Sequence, residues 1–200
     1  MAKANWVKAT PASGSGNGTV NVSSTAEHTG RVARETVLTF KGANVADVQR
    51  TVKQAGKPEY VDIADSASAD KAGKVVTIEG VSNSAKLTFS LGTGDLSITL
   101  PTTYTANSVT TTNGAAIAGD PGASKVYNFA ISINVPANLS VASKSRQIIV
   151  TDNAGHTDVC ELVSAAGDAY LRVSEDTIEL NDKGDAVSVT VESNTNWTVE

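Results

Sequence analysis

The stretch Phe129-Ala-Ile-Ser-Ile-Asn-Val135 places an apolar residue at every second position. Successive side chains of a β-strand point to opposite faces, so this alternation predicts a strand with one buried face. Similar short runs occur along the rest of the chain, at 20–22, 36–40, 75–78, 87–91, 96–100, 148–150 and 187–191. Clusters of Gly, Asn, Asp and Pro separate them, as is typical of turns. The pattern predicts an all-β sandwich, in which residues 45–50 suit either a helical turn or a hairpin strand.

The composition excludes several classes of function. The 200 residues include 16 Lys and Arg against 21 Asp and Glu, a net charge of −5, which disfavours nucleic-acid binding. One cysteine and two histidines are too few for a structural zinc site, which takes about four ligands. The sequence has neither a signal-peptide pattern nor the roughly 18 consecutive apolar residues of a membrane helix. We therefore expect no metal, no cofactor, no nucleic acid and no membrane, and synthesis in a cytoplasm.

The chain repeats part of itself at an offset of 111 residues. Gly56 in an Ala-Gly pair corresponds to Gly167, and Asn83 in a Ser-Asn pair corresponds to Asn194. Internal similarity at a fixed period indicates repeated structural units. Residues 57–167 form one complete unit, which carries an insertion near 105–126.

The two ends of the chain resemble the two halves of such a unit. Trp6 in the run 6–11 matches Leu96 in the run 96–101, and Arg34 at the start of 34–40 matches Arg146. Residues 1–56 therefore correspond to the second half of a unit, and residues 168–200 to the first half.

A half-sandwich exposes an apolar face and open strand edges, so each half needs a partner. The halves 1–56 and 168–200 can meet within one chain, giving one split and permuted domain beside the domain 57–167. Alternatively, the C-terminal strands of one subunit complete the N-terminal half of a neighbour. Closure within one chain has the higher effective concentration, which favours it modestly.

These half-units resemble the BACON domain, an immunoglobulin-like sandwich found in Bacteroidetes and associated with carbohydrate binding. Ser193-Asn-Thr-Asn-Trp197 matches its first motif, and Trp6 with the Pro11 and Gly-rich segment 11–18 matches its second. The Arg-led strand 34–40 and Val52-Lys-Gln-Ala-Gly56 match its end. The central unit departs from the pattern, because Leu87 and Leu96 replace the tryptophans. The resemblance implies two immunoglobulin-like domains, one of them assembled from the two ends of the chain.

No group of residues predicts catalysis. His28 and His156 both lie in segments that we expect to be exposed loops, and no Ser or Cys nucleophile is arranged with them. Cys160 is predicted to be a small buried strand residue.

The aromatic residues are the candidates for contacts. Trp6 and Trp197 lie at apolar positions of alternating strands, which favours core packing and a structural role. Gly56 and Gly167 are predicted to be structural as well, at the junctions between units. Tyr104 and Tyr127 lie in or beside the insertion, where we expect them to be exposed and available to a glycan or a protein.

Together, the resemblance and the half–whole–half layout imply a structural protein rather than an enzyme. They suggest an auxiliary, or decoration, protein on the capsid exterior of a tailed phage of the crAss-like group, assembled in the host cytoplasm. Its expected partners are the major capsid protein and neighbouring copies of itself, with weak adhesion to cell-surface glycans as a further possibility. The alternative is a carbohydrate-binding accessory module of a bacterial surface or secreted protein. Fold alone does not decide between them.

Overall fold

The computed structural model describes residues 3–200, and the chain is almost entirely β-structure. The N-terminal segment, residues 3–56, contains two separate hairpins. Strands β1 (Val7–Thr10) and β2 (Asn21–Ser24) form the first, and β3 (Arg34–Phe40) and β4 (Val48–Gln54) form the second. Strand β4 begins inside the segment 45–50, so the hairpin alternative for that segment is correct.

The central unit, residues 57–167, is a sandwich of two sheets. Its strands are β5 (Val61–Ile63), β6 (Ser66–Ala69), β7 (Lys74–Ser82), β8 (Thr88–Gly94), β9 (Thr103–Ala106), β10 (Val109–Thr112), β11 (Tyr127–Val135), β12 (Lys144–Thr151) and β13 (Thr157–Ser164). One sheet has the order β10-β9-β11-β7-β5, and the other has the order β6-β13-β12-β8. All neighbours are antiparallel except β6 and β13, which are parallel.

The core of the central unit lies between these two sheets. Strand β11 shows how the alternation works, because Phe129, Ile131, Ile133 and Val135 are all buried. Ile148 and Val150 of β12 face them from the other sheet and are fully buried. The burial of each alternate side chain supplies the hydrophobic free energy that holds the sheets together.

The predicted insertion is part of this sandwich. Strands β9 and β10 form a hairpin that extends the five-stranded sheet beyond β11. A short 3-10 helix, Pro121–Ala123, follows and leads into β11. It is the only helix among residues 3–200, and that part of the chain contains no helix long and apolar enough to cross a membrane.

The C-terminal segment, residues 168–200, contributes one two-stranded sheet of β14 (Leu171–Val173) and β15 (Val191–Ser193). Within residues 3–200, no strand of this segment pairs with a strand of residues 3–56. The pairing of the two halves that the repeat predicts is therefore not seen within one chain. The predicted strand at 187–191 is a strand only from Val191 onward.

One further prediction is corrected by the structure. Residues 96–100 alternate in sequence but do not form a regular strand. Leu96 is nevertheless buried, and its backbone N–H donates to the carbonyl of Ser145. Asp95 donates to the same carbonyl, so the segment is attached at one end instead of along a ladder.

Candidate interaction site

The N-terminal segment is joined to the central unit through residues 28–32. The backbone N–H of Arg31 donates to the Gly122 carbonyl at 3.0 Å, and that of Val32 donates to Ala123 at 3.0 Å. The Arg31 guanidinium also donates to both carboxylate oxygens of Asp120, with Nη1 to Oδ1 at 2.6 Å. This pair holds the pKa of Asp120 below its usual range and raises that of Arg31. The inserted segment of the central unit thus binds its N-terminal neighbour.

Asn83 completes this first joint from inside the central unit. Its side chain is fully buried, and its Oδ1 accepts the backbone N–H of Tyr60 at 2.9 Å. Its Nδ2 donates to three carbonyls, those of Thr29, Lys57 and Pro58, at 3.1–3.3 Å. One amide therefore links the N-terminal segment to the start of the central unit.

A second joint of the same construction connects the central unit to the C-terminal segment. The Oδ1 of Asn194 accepts the backbone N–H of Tyr170 at 3.0 Å. Its Nδ2 donates to the carbonyls of Leu139 at 2.9 Å and Asp168 at 2.8 Å. Asp168 also pairs with Lys71 of the central unit, with Nζ to Oδ2 at 2.5 Å. Asn194 therefore links two segments through its side-chain amide at the second joint, as Asn83 does at the first.

The buried side chains that close the turns beside the two joints, His28 and Asn138, also correspond. The Nε2 of buried His28 lies 2.7 Å from the carbonyl of Val32, and the Nδ2 of buried Asn138 donates to Ala142 at 2.9 Å. Since a carbonyl only accepts, His28 must carry its proton on Nε2 and donate. The prediction that His28 is an exposed loop residue is wrong, because its side chain is buried. Its ring closes a turn in the same way as the side-chain amide of Asn138.

Gly56 and Gly167 occupy the closest approaches of these joints. A Cβ atom at Gly56 would overlap the carbonyl group of Arg31, and one at Gly167 would overlap the carbonyl oxygen of Asn138. Both contacts are with backbone, which cannot move aside without opening the joint. A glycine is therefore required at each position by space and not by backbone conformation.

The C-terminal segment leaves its apolar residues exposed. The residues that correspond to core positions of the central unit show the contrast: Val173 is 49% exposed where Ile63 is 2%, and Val187 is 48% where Val76 is 7%. Farther along, Trp197 is 50% exposed where Leu87 is 0%, and Val199 is 85% where Phe89 is 3%. The predicted core packing of Trp197 is therefore not present in this chain.

The N-terminal segment lacks partners for two of its strands. Strand β2 pairs only with β1 and is exposed along its length, and β3 pairs only with β4. A cavity of about 440 Å³ opens between the two hairpins, next to Leu38 and Phe40. Trp6 is partly buried, and the Arg34 guanidinium lies 4.6 Å from its ring centroid, an arrangement that stabilises both side chains. Each of these two strands thus has a free edge.

Tyr104 and Tyr127 are not exposed, contrary to the prediction. Each is 3% exposed, and Tyr104 packs against Phe89 with ring centroids 5.0 Å apart. The Tyr127 hydroxyl donates to the Ser84 carbonyl at 3.0 Å. Burial raises the pKa of both phenols. Neither ring offers a face on which a sugar could stack.

The predictions for His156 and Cys160 are confirmed by the structure. His156 is exposed as predicted, and its Nδ1 lies 2.8 Å from the buried carboxylate of Asp152. Cys160 is buried in β13 as predicted, and burial raises the pKa of its thiol to about 11. Among residues 3–200, no group of three or more His, Cys, Asp or Glu residues is arranged to hold a metal ion.

A depression of about 570 Å³ lies over the five-stranded sheet of the central unit. Asp62, Asp65 and Glu79 line it together with residues of β9 and β11. Its acidic character does not by itself specify a ligand. The joints and the unpaired terminal strands are therefore the features of this molecule that point to a function.

Comparison with known proteins gives little to transfer. No family model matches the chain, and no curated protein matches it. The solved structures that match the chain include cadherin-like domains 1 to 4 of zebrafish RET, with TM-score 0.34 and 14% identity, and an endo-fucoidan hydrolase of glycoside hydrolase family 107, with TM-score 0.32 and 9% identity. The similarity to RET covers 69% of this chain and 34% of that one, and the similarity to the hydrolase covers 82% and 22%. Both TM-scores are too low to transfer any function.

The sequence identified Gly56, Gly167 and the Ser-Asn pairs as equivalent positions, but it did not predict that the asparagine side chains hold the joints together. The signal was present, because Asn83 and Asn194 stand at the same place in the repeat. The pair of Arg31 and Asp120 left no such trace. Its partners are 89 residues apart, and only one of the two joints contains it.

Proposed function

We propose that this protein is a non-enzymatic structural component of a virion, which decorates a phage capsid through contacts with the major capsid protein. The resemblance of its half-units to immunoglobulin-like BACON domains suggests this class. The single observation that carries the proposal is the exposed apolar surface of the terminal segments, including Trp197 at 50% and Val199 at 85%. Such surface on a small all-β protein is typical of an interaction site.

The joints support this role physically. Each unit is attached to the next through amide hydrogen bonds, which are buried at the first joint, and through an ion pair, so that the central sandwich carries both terminal segments. A decoration protein binds in many copies, and individually weak contacts then add up to a stable layer.

The proposal is tested by binding to assembled shells of the major capsid protein. We expect the protein to co-sediment with the shells, to saturate at a fixed number of copies per subunit and to raise their temperature of disruption. Recovery from purified virions should accompany this. The absence of the protein from virions, together with no binding to shells, would overturn the proposal.

A glycan array separates this role from that of a carbohydrate-binding accessory module. We expect at most weak binding, because the rings of Tyr104 and Tyr127 are buried. Tight glycan binding without any association with shells would favour the accessory module instead.

A further inference from the structure

We infer that the C-terminal segment of one copy, residues 168–200, binds the N-terminal segment of a second copy, residues 3–56, and completes its sandwich. The second copy supplies the strands that β2 and β3 lack. This contact covers the same apolar residues that carry the function proposed above, including Trp197 and Val199, but it requires no capsid and is tested without one.

The central unit supplies the template for this contact. There, β7 pairs with β11 along Lys74–Ser82, and β8 pairs with β12 through Phe89 and Val150. The sheet of β14 and β15 reproduces that of β5 and β7, since Leu171 faces Ser193 as Val61 faces Ser82. The C-terminal segment thus holds the first part of a unit already in its native register.

The unpaired strand edges of the N-terminal segment correspond to strand edges that are paired in the central unit. Strand β3 pairs with β4 as β12 pairs with β13, but the edge of β3 that corresponds to the β8-binding edge of β12 is unoccupied. Strand β2 precedes His28 as β11 precedes its equivalent Asn138. Addition of residues 186–189 to β2 and of residues 197–199 to β3 would repeat both pairings of the central unit.

The two segments carry opposite charges. Residues 3–56 contain seven Lys and Arg against three Asp and Glu, a net charge of +4. Residues 168–200 contain two against eight, a net charge of −6. Complementary charge steers the segments of different copies together and opposes the pairing of like segments.

The geometry of the joints favours a second copy over closure within one chain. The N-terminal segment is attached near Asn83, at the end of β7, whereas the C-terminal segment is attached near Lys71, before β7 begins. Strand β7 has 9 residues, so these attachment points are separated by roughly 25–30 Å, at about 3.3 Å per residue. The two segments are therefore attached at opposite ends of the central sandwich.

Such a contact joins different surfaces of each copy. Every copy offers one donor and one acceptor, so the contact is heterologous, and repetition gives an open chain or a closed ring. The apolar residues exposed in one chain become core residues in the assembly.

The first test uses two single-cysteine variants, Leu38→Cys and Val199→Cys. Leu38 lies four residues after Arg34 as Val150 lies four after Arg146, and Val199 corresponds to Phe89, the partner of Val150. When the two variants are mixed and oxidised, we expect a disulfide-linked dimer containing one of each. Val109→Cys, on an exposed strand of the central unit, replaces Leu38→Cys in the control mixture. Native Cys160 is buried and takes no part.

Two results would overturn the inference. One is a mixture that cross-links no better than the control. The other is a double variant, Leu38→Cys with Val199→Cys, that forms only a monomer with an internal disulfide, since that is closure within one chain.

The second test uses sedimentation over a range of protein concentrations. We expect the average mass of the native chain to rise with concentration and to fall again in high salt, which screens the opposite charges. Trp197→Asp should weaken this association at least about tenfold, because it places a charge at the centre of the contact. Val75→Asp adds the same charge to an exposed position of β7 in the complete unit and should leave it unchanged. A native chain that stays monomeric, or equal effects of the two variants, would contradict the inference.

Discussion

At the scale of single residues, two asparagines determine how the units of this chain are joined. Asn83 and Asn194 each accept a backbone N–H with Oδ1 and donate with Nδ2 to the preceding unit. The difference between them is burial, because Asn83 is inaccessible to solvent and Asn194 is partly exposed. Unsatisfied polar groups are costly only when buried, so the same amide contributes differently at the two joints.

The variant Asn83→Asp should therefore be much more harmful than Asn194→Asp. The new carboxylate at 83 has no N–H to offer the carbonyls of Thr29, Lys57 and Pro58, and it repels them. We expect the free energy of unfolding to fall by about 3 kcal/mol or more for Asn83→Asp, and by less than about 1 kcal/mol for Asn194→Asp. Urea denaturation measures both. Equal losses would mean that Asn83 is not the linking residue.

The ion pair of Arg31 and Asp120 gives the first joint a pH dependence. The hydrogen bond from Arg31 holds the folded-state pKa of Asp120 below 3.8, so its contribution is complete above that pH and is lost as the pH falls through the lower value. The Asp120 side chain is 41% exposed, so this contribution is below about 1 kcal/mol.

The stability difference between the native chain and Asp120→Asn should accordingly be constant from neutral pH down to about pH 4 and shrink below it. Urea denaturation of both proteins across this range measures the difference. Glu161→Gln, at an exposed carboxylate of β13 in the same unit, serves as a comparison. A difference that grows on acidification would contradict the assignment.

At the scale of elements, a strand forms where a neighbouring strand is available to pair with it. Residues 74–82 and 187–193 have similar alternating sequences, yet the first is a strand of 9 residues and the second is a strand only at Val191–Ser193. Strand β7 lies between β11 and β5, whereas β15 has only β14 beside it. Backbone hydrogen bonds to a neighbour, rather than local propensity, determine the length of the strand.

The same reasoning predicts how amide exchange depends on protein concentration. In dilute solution, the amides of Asn21–Ser24 that face the free edge of β2 should exchange rapidly, while those of β7 and β11 are protected. At concentrations where copies associate, exchange at Asn21–Ser24 should slow by about tenfold or more, with little change in β11. Hydrogen–deuterium exchange with mass spectrometry measures this. Unchanged exchange in β2 while the mass increases would place the contact elsewhere.

At the scale of the whole molecule, stability is unevenly distributed. The one continuous core lies within residues 63–162 of the central unit, and residues 171–180 are exposed throughout. Regions with few buried apolar contacts open first, well below the free energy of global unfolding. The central sandwich is therefore the rigid part of the chain, and the C-terminal segment is its least stable part.

Limited proteolysis in dilute solution should reveal this difference. We expect trypsin to cleave after Arg172 and Lys183 well before it cleaves after Lys74 or Arg146, both of which lie in paired strands of the sandwich. Mass spectrometry of the early fragments identifies the order. Simultaneous loss of the central fragment would show that the whole chain unfolds as one unit.

The sequence by itself determined the class of fold, and it predicts repeated units with boundaries near residues 56 and 167. These properties follow from alternation, turn residues and internal similarity, all of which are local or periodic. It also placed Cys160 in the core. The exposure of Tyr104, Tyr127 and His28 was predicted wrongly, because the burial of a side chain depends on what packs over it.

Only the tertiary structure decided where the two terminal segments stand. The hydrogen bonds of Asn83 and Asn194, and the contact of Arg31 with Asp120, join residues that are far apart in the chain and attach the segments at opposite ends of β7. No periodicity encodes such distances, since they result from the length and direction of the strands between them. The repeat thus predicts that the two terminal segments are halves of one unit. The path of the chain through the central sandwich places their attachment points far apart.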